Sequence, residues 1–188
     1  MLAVFDFLVC ATAIFAATRP HRVSATTLIA QVGLLSVAFA ALVGTVRYAG
    51  YSELTAAHQF ASKIAAVVGV PFAAVGFLTL SRRMAVSIAV VIAATIAAAG
   101  FLFFRSPTYA LAIGIVAQVI WLVGGWLNRH AAPRLFLRAL IAVVLTSVAG
   151  LLFAGQGEWY GIQKENIFHG LLALSLLQQG LILKAVDD

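Results

Sequence analysis

Apolar runs of about the length needed to cross a lipid bilayer recur along almost the whole of this sequence. The hydrocarbon core of a bilayer is about 30 Å thick, and an α-helix needs about 20 apolar residues to cross it. Of the 188 residues, 63% are hydrophobic and 10% are charged, and the mean hydropathy is +1.07. A soluble domain is only about 45–50% apolar. The sequence therefore predicts an all-α integral membrane protein.

Six short breaks that contain glycine, proline or charged residues divide the apolar pattern. They leave seven predicted transmembrane helices, at 2–17, 23–49, 53–80, 84–104, 107–128, 134–154 and 162–185. Few residues remain outside these helices, so we expect residues 1–188 to form a single multi-pass transmembrane domain. The first apolar segment contains Asp6 and has no basic residues before it, which indicates a first helix rather than a cleaved signal peptide.

The basic residues between the helices predict the orientation of the chain. Eight lysines and arginines lie on the side of the first, third and fifth connections and the C-terminus, and three lie on the opposite side. Positively charged loops stay in the cytoplasm. We therefore expect a protein of the cell (inner) membrane whose N-terminus lies outside and whose C-terminus lies in the cytoplasm. The net charge of +6 is dispersed rather than gathered into a stripe. We therefore expect lipid rather than nucleic acid as a partner, and leave open a homo-oligomer or a larger membrane complex.

The sequence contains an internal repeat at an offset of 111 residues. Residues 32–58 align with residues 143–169 without a gap, and 8 of the 27 positions are identical, including His58 with His169. About two or three identities would be expected by chance from such a composition. Both hairpins run in the same direction through the bilayer, which predicts a parallel 3+1+3 repeat. Repeat 1 covers about 2–80, the linker helix 84–104, and repeat 2 about 107–185.

The duplicated histidines, His58 and His169, are the centre of the predicted site. Both are expected roughly 8–11 Å below the outer interface, in the third and seventh predicted helices. Ionisable side chains at this depth are costly unless they face a bundle interior or a wet cavity, so they indicate function. Helical spacing places four polar residues beside them: Thr55, Ser62, Glu165 and Asn166. The sequence thus predicts an outward-facing ligand site between the third and seventh helices.

Four charged residues are expected at the outer mouth of this site: Arg47, Glu53, Glu158 and Lys164. In the repeat alignment Arg47 matches Glu158, and Glu53 matches Lys164, so equivalent positions carry opposite charges. Near a symmetry axis these side chains could close salt bridges over the mouth. The alternative is a set of solvated interfacial charges, worth about 0–1 kcal/mol each.

One further charge, Lys63, is expected near the middle of the third predicted helix, and its repeat equivalent is Leu174. A lysine at this depth either extends its amine towards the interface or finds an acidic partner. Asp6 is such a partner if the first and third helices touch. We therefore interpret Lys63 as a structural charge or as a supporting charge near the site.

The predicted site favours the binding or transport of a small molecule or ion, because parallel repeats with a site on their axis suit transporters. A second hypothesis is a redox protein in which His58 and His169 ligate a haem or a transition metal. A third is an intramembrane metal-assisted hydrolase using His58, His169 and Glu165. No closely spaced histidine pair supports that enzyme, so we favour a protein that is not an enzyme. A structural subunit of a larger complex is the fourth alternative.

Overall fold

The computed structural model describes residues 2–20, 25–82, 86–130 and 132–187. In this part of the chain the α-helices are α1 (Leu2–Ala17), α2 (Ala25–Tyr48), α3 (Thr55–Ile64), α4 (Val70–Arg82), α5 (Val86–Leu102), α6 (Pro107–Leu127), α7 (Pro133–Val148) and α8 (Lys164–Asp187). A 3-10 turn (Ser52–Leu54) precedes α3, and π-helical turns follow α3 (Ala65–Gly69) and α7 (Ala149–Phe153). The strands β1 (Glu158–Trp159) and β2 (Ile162–Gln163) pair antiparallel before α8.

The helices have the length and composition of membrane-spanning segments. Five stretches are long and apolar enough to cross a bilayer: Thr27–Tyr48, Ser52–Leu78, Pro107–Leu127, Pro133–Phe153 and Lys164–Val186. The apolar helices α1 and α5 are shorter, with 16 and 17 residues. Large apolar side chains such as Phe39, Val91 and Leu111 are more than half exposed. The fold is that of an all-α polytopic membrane protein, while the number of crossings and the orientation stay predictions.

Local sequence explains where several of the helices begin. Ser106 caps α6 by accepting a hydrogen bond from the backbone N–H of Tyr109 at 3.2 Å, and Pro107 occupies the first helical position. Pro133 likewise occupies the start of α7. Gly50 and Gly161, which the repeat aligns, have φ of +126° and +78° in the turns before α3 and α8. Glycine adopts this left-handed backbone at no steric cost.

The helices close into a ring. Going around it, α1 packs against α2, α2 against α4, α4 against α6, α6 against α7, α7 against α8, and α8 against α1. The helix α3, its π-helical turn and α4 follow one another without interruption and act as one member of this ring. Outside the ring, α5 lies against α2 and α4. One end of the bundle carries residues 49–54, residues 154–163 and the start of α1, and we call it the hairpin end.

Close contact between the backbone of α2 and that of the π-helical turn and α4 depends on a glycine in α2. A Cβ on Gly33 would lie 2.5 Å from both the backbone nitrogen of Ala73 and the carbonyl oxygen of Gly69. Both are backbone atoms that have no freedom to move aside. Small residues allow helices in membranes to approach closely and gain van der Waals contact. The α2–α4 side of the ring is therefore built on this contact.

The two hairpins matched by the repeat differ in structure. Gly44 lies inside α2, whereas its aligned partner Gly155 lies in the loop that follows α7. The connection from α2 to α3 is a short turn, but the connection from α7 to α8 includes β1 and β2. The gap-free alignment therefore does not place equivalent residues in equivalent structure throughout, and the repeat stays a prediction.

We predict that Gly33→Ala destabilises the protein by about 1–3 kcal/mol, because the added methyl group overlaps backbone atoms of the facing helix. Unfolding in a denaturing detergent, followed by tryptophan fluorescence, measures the loss. The matched control is Gly114→Ala in α6, whose Cβ would meet no atom of the described residues within 4 Å. Equal stability of the two variants would contradict the close α2–α4 contact.

Candidate functional site

A cavity of about 530 Å³ lies between the helices of the ring and opens to one side past the exposed residues Leu111, Ile115 and Leu151; we call it the central cavity. Most of its wall is aliphatic. Its polar lining residues are Asp6, His58, Ser62, Gln118, Thr146, Ser147, His169 and Gln179. Ligand pockets commonly have volumes of about 300–1,000 Å³ and combine apolar walls with a few polar groups. Both predicted histidines therefore face the same ligand-sized space.

Asp6 is the residue of this site that the sequence analysis missed. Its side chain is buried, with a relative exposure of 1%, and its Oδ1 lies 3.2 Å from Nδ1 of His169. Within the described residues this contact lacks hydrogen-bond geometry, and both Asp6 Oδ2 and His169 Nδ1 are without a hydrogen-bond partner. A lone carboxylate in an apolar first helix was the available signal, since such groups are rare in membranes and mark function.

The expected pairing of Lys63 with Asp6 is not formed. Lys63 is exposed, and its Nζ lies 5.9 Å from the centre of the Phe104 ring. Asp6 instead faces His169, because α1 lies between α2 and α8 and turns its carboxylate towards the latter. The predicted site between two helices is thus shared with a third helix, α1.

His58 meets the same group of residues from the other side. Its Nδ1 lies 3.2 Å from the carbonyl oxygen of Ala40 on α2, and its ring packs edge-on against Tyr48 with centroids 5.9 Å apart. A Cβ on Gly44 would overlap Asp6 Oδ2 and lie 2.6 Å from Cε1 of His58. The carboxylate and the imidazole therefore contact the same point on α2. We call Asp6, His58 and His169 the Asp6 cluster.

The other predicted ligand residues have different surroundings. Ser62 lines the central cavity together with the histidines. Thr55 donates a hydrogen bond from Oγ1 to the carbonyl oxygen of Ser52 at 2.7 Å, which stabilises the start of its own helix. Asn166 is 2% exposed, and its Oδ1 has no hydrogen-bond partner in the described part of the chain. Glu165 lies close enough to Asp6 for its charge to act on it.

The four predicted outer-mouth charges do not form salt bridges with one another. Arg47 donates a hydrogen bond to the Tyr48 hydroxyl at 3.2 Å, and its charge also acts on Asp6. Glu53 and Glu158 are exposed, and Lys164 is half-buried. Across residues 2–20, 25–82, 86–130 and 132–187, the one close contact between an acidic and a basic side chain is that of Asp6 with the imidazole of His169. The outer charges are consequently solvated, apart from Arg47, which packs against Tyr48.

A second polar group lies on α7 and α8. Ser175 donates a hydrogen bond to the carbonyl oxygen of Ala142 at 2.9 Å, and its hydroxyl lies 2.8 Å from that of Thr146. Gln179 extends this chain, with Nε2 at 3.4 Å from Ser175 Oγ. Across the cavity, Gln118 Oε1 is buried without a hydrogen-bond partner among the described residues. The cavity therefore has polar groups at two levels.

Within the described residues, no three or more His, Cys, Asp and Glu side chains are grouped so that they could hold a metal ion. This finding gives no support to a metal centre made by His58, His169 and Glu165 together. Comparison of the chain with protein-family models, with curated proteins and with solved structures gave no match. The structure is that of a polytopic helical membrane protein with a cavity between its helices.

We predict that Gly44→Ala separates the carboxylate of Asp6 from the ring of His58, because the new methyl group would occupy the point that both contact. In protein labelled with ¹⁵N-histidine, the NMR signals of His58 and His169 should both shift. His130, an exposed residue after α6, serves as an internal control and should keep its signal. Unchanged signals from His58 and His169 would show that the cluster is not packed around Gly44.

Proposed function

We propose that this protein binds a small molecule or ion in the central cavity, as a transporter or as a ligand-binding membrane module. The observation that carries the proposal is the meeting of three ionisable side chains, Asp6, His58 and His169, on one cavity. Ionisable groups inside a membrane are costly, and a cavity of this size and lining suits a ligand. A purely structural cluster would not need a cavity beside it.

Transport is supported by the positions of the polar groups. The Asp6 cluster lies near the hairpin end. Thr146, Ser175 and Gln179, on α7 and α8, lie deeper in the bundle from that end. A ligand leaving the cluster would find hydrogen-bonding groups at this second level. Weak binding at several sites is what allows a permeating species to enter and also to leave.

We further propose that all seven predicted helices cross the cell (inner) membrane, with the hairpin end on its outer side. The apolar composition of α1 and α5 supports this, and the bias of basic residues towards the other end supports the orientation. At 1.5 Å per residue α1 is about 24 Å long, and local thinning of the bilayer accommodates a helix of that length. The parallel repeat belongs to the same proposal, since it relates the two histidine-bearing hairpins.

The test of cavity binding places a large side chain of α6 in the cavity. Gly114 lines the cavity, and a Cβ there would meet no atom of the described residues within 4 Å. We predict that Gly114→Phe abolishes binding of C12 probes (dodecylamine, dodecanol and dodecanoate), measured by native mass spectrometry of protein released from lipid nanodiscs. The control is Val116→Phe, which adds bulk at an exposed position of the same helix.

Wild-type protein should retain at least one of the three probes at a 1:1 ratio, and Val116→Phe should behave as wild type. If Gly114→Phe binds the same probe as well as wild type does, the probe lies elsewhere and the proposal fails. It also fails if wild-type protein retains none of the three.

One observation favours a second candidate function, the binding of haem or a transition metal by the two histidines. Nδ1 of His58 is hydrogen-bonded to the carbonyl oxygen of Ala40, and Nδ1 of His169 lies 3.2 Å from Asp6 Oδ1 without forming a hydrogen bond. Histidines that ligate metals usually have such a partner on the nitrogen that does not bind the metal. The arrangement leaves both Nε2 atoms for a ligand.

This candidate predicts a coloured or metal-containing protein. Purified protein should show a haem absorption band or stoichiometric metal by elemental analysis, and His58→Ala or His169→Ala should remove it. The matched control is His130→Ala, because His130 is exposed and lies in the loop after α6. A colourless, metal-free preparation from haem-supplemented and metal-supplemented cultures would rule out this second function.

A further inference from the structure

We infer that the central cavity takes a hydrophobic amine in its protonated form, with the ammonium group held by the Asp6 cluster and the apolar chain along the aliphatic wall. This inference rests on the proposed function, since it names the chemical class of the ligand for that site. It assigns the main recognition role to Asp6, which repeat symmetry does not identify.

The charges around the cluster favour a monovalent cation. Asp6 is 1% exposed, and its Oδ2 has no hydrogen-bond partner in the part of the chain that the structure describes. A buried carboxylate without a partner is costly, and an opposite charge offsets that cost. One positive charge beside Asp6 supplies that opposite charge.

The hydrogen-bonding groups of the two histidines also select a donor. The carbonyl oxygen of Ala40 can only accept, so Nδ1 of His58 carries the proton that it donates. In a neutral imidazole with a proton on Nδ1, Nε2 is an acceptor. His169 Nδ1 lies 3.2 Å from Asp6 Oδ1 without a hydrogen bond, and a neutral His169 ring has one acceptor nitrogen in either tautomer. The cluster therefore offers three acceptor atoms: Asp6 Oδ2, His58 Nε2 and one ring nitrogen of His169.

A primary ammonium group matches this set, because it has three N–H donors and one positive charge. An anionic head group does not match it, because the unpartnered carboxylate of Asp6 would repel it. Arg47, the nearby cation, packs on the Tyr48 ring and is not among the residues that line the cavity. Both the charge and the direction of the hydrogen bonds thus favour the same ligand class.

The rest of the cavity indicates an apolar chain on that amine. Its volume of about 530 Å³ far exceeds the space that a bare inorganic cation needs. Aliphatic side chains, including Val9, Leu34, Leu172 and Leu176, line it. An alkyl chain packs against such a wall as readily as against lipid tails. The same chemistry is found in a free hydrophobic amine and in a lipid with a primary amine head group.

The experiment compares C12 probes that share a chain and differ in head group, in nanodiscs of phosphatidylcholine. Dodecylamine should bind at least about 10-fold more tightly than dodecanol or dodecanoate, since a hydrogen bond to a charged group contributes about 1.5–3 kcal/mol. Dodecyltrimethylammonium has the same charge but no N–H donor, and should bind more weakly than dodecylamine. These comparisons use wild-type protein and do not depend on the folding of any variant.

The variant Asp6→Asn keeps the shape of the side chain and removes its charge. It should lower the affinity for dodecylamine about 10-fold or more and leave the affinity for dodecanol unchanged. The matched control is Glu53→Gln, which removes an exposed carboxylate at the same end of the bundle and should bind dodecylamine as wild type does. Adding phosphatidylethanolamine to the nanodiscs distinguishes the two sources, because it competes with dodecylamine only if an amine-bearing lipid enters the cavity.

Two results would overturn the inference and leave the proposed function standing. One is binding of dodecanol or dodecanoate as tightly as dodecylamine, with Gly114→Phe still abolishing it. The other is an unchanged preference for dodecylamine in Asp6→Asn. If wild-type protein binds none of the probes, the inference and the proposed function both fail.

Discussion

The arrangement of this protein depends on a carboxylate that has almost no contact with solvent. Asp6 lies on α1, the helix that closes the ring between α2 and α8. Small residues let α1 take this position: Ala13 and Ala16 are fully buried, and a Cβ on Gly180 of α8 would lie 2.8 Å from Ala16 Cα. Close packing of α1 thus brings an ionisable carboxyl group into an interior where it loses most of its contact with solvent. The histidines and the cavity are arranged around that group.

Glycine determines which groups can meet inside the ring. Gly44 leaves room for the carboxylate of Asp6 and the imidazole of His58 at one point on α2, and Gly33 does the same for the backbone of the facing helix. Gly114, in contrast, borders the central cavity. The same residue type therefore serves close contact in two places and open space in a third. Their roles differ because their neighbours differ.

The sequence predicted the helical segments well, because apolar length and its interruptions are local properties. It also indicated that His58 and His169 belong together, and both line one cavity. It did not predict Asp6, since helical spacing identifies neighbours on one helix but not across a ring of helices. The contact between Thr146 and Ser175 was missed for the same reason, as it depends on how α7 packs against α8.

The π-helical turn at Ala65–Gly69 sets the rotation of α4 relative to α3 about their common axis. A π-helical turn holds one residue more than an α-helical turn, and each residue of an α-helix rotates the chain by about 100°. On one side of the turn, His58 belongs to the Asp6 cluster. On the other side, Phe77 stacks on Trp121 with ring centroids 4.5 Å apart. Deleting one residue from this turn would rotate α4 relative to α3 by about 100°. The extra residue thus sets the rotation at which one continuous helix directs His58 to the ligand site and Phe77 to the core.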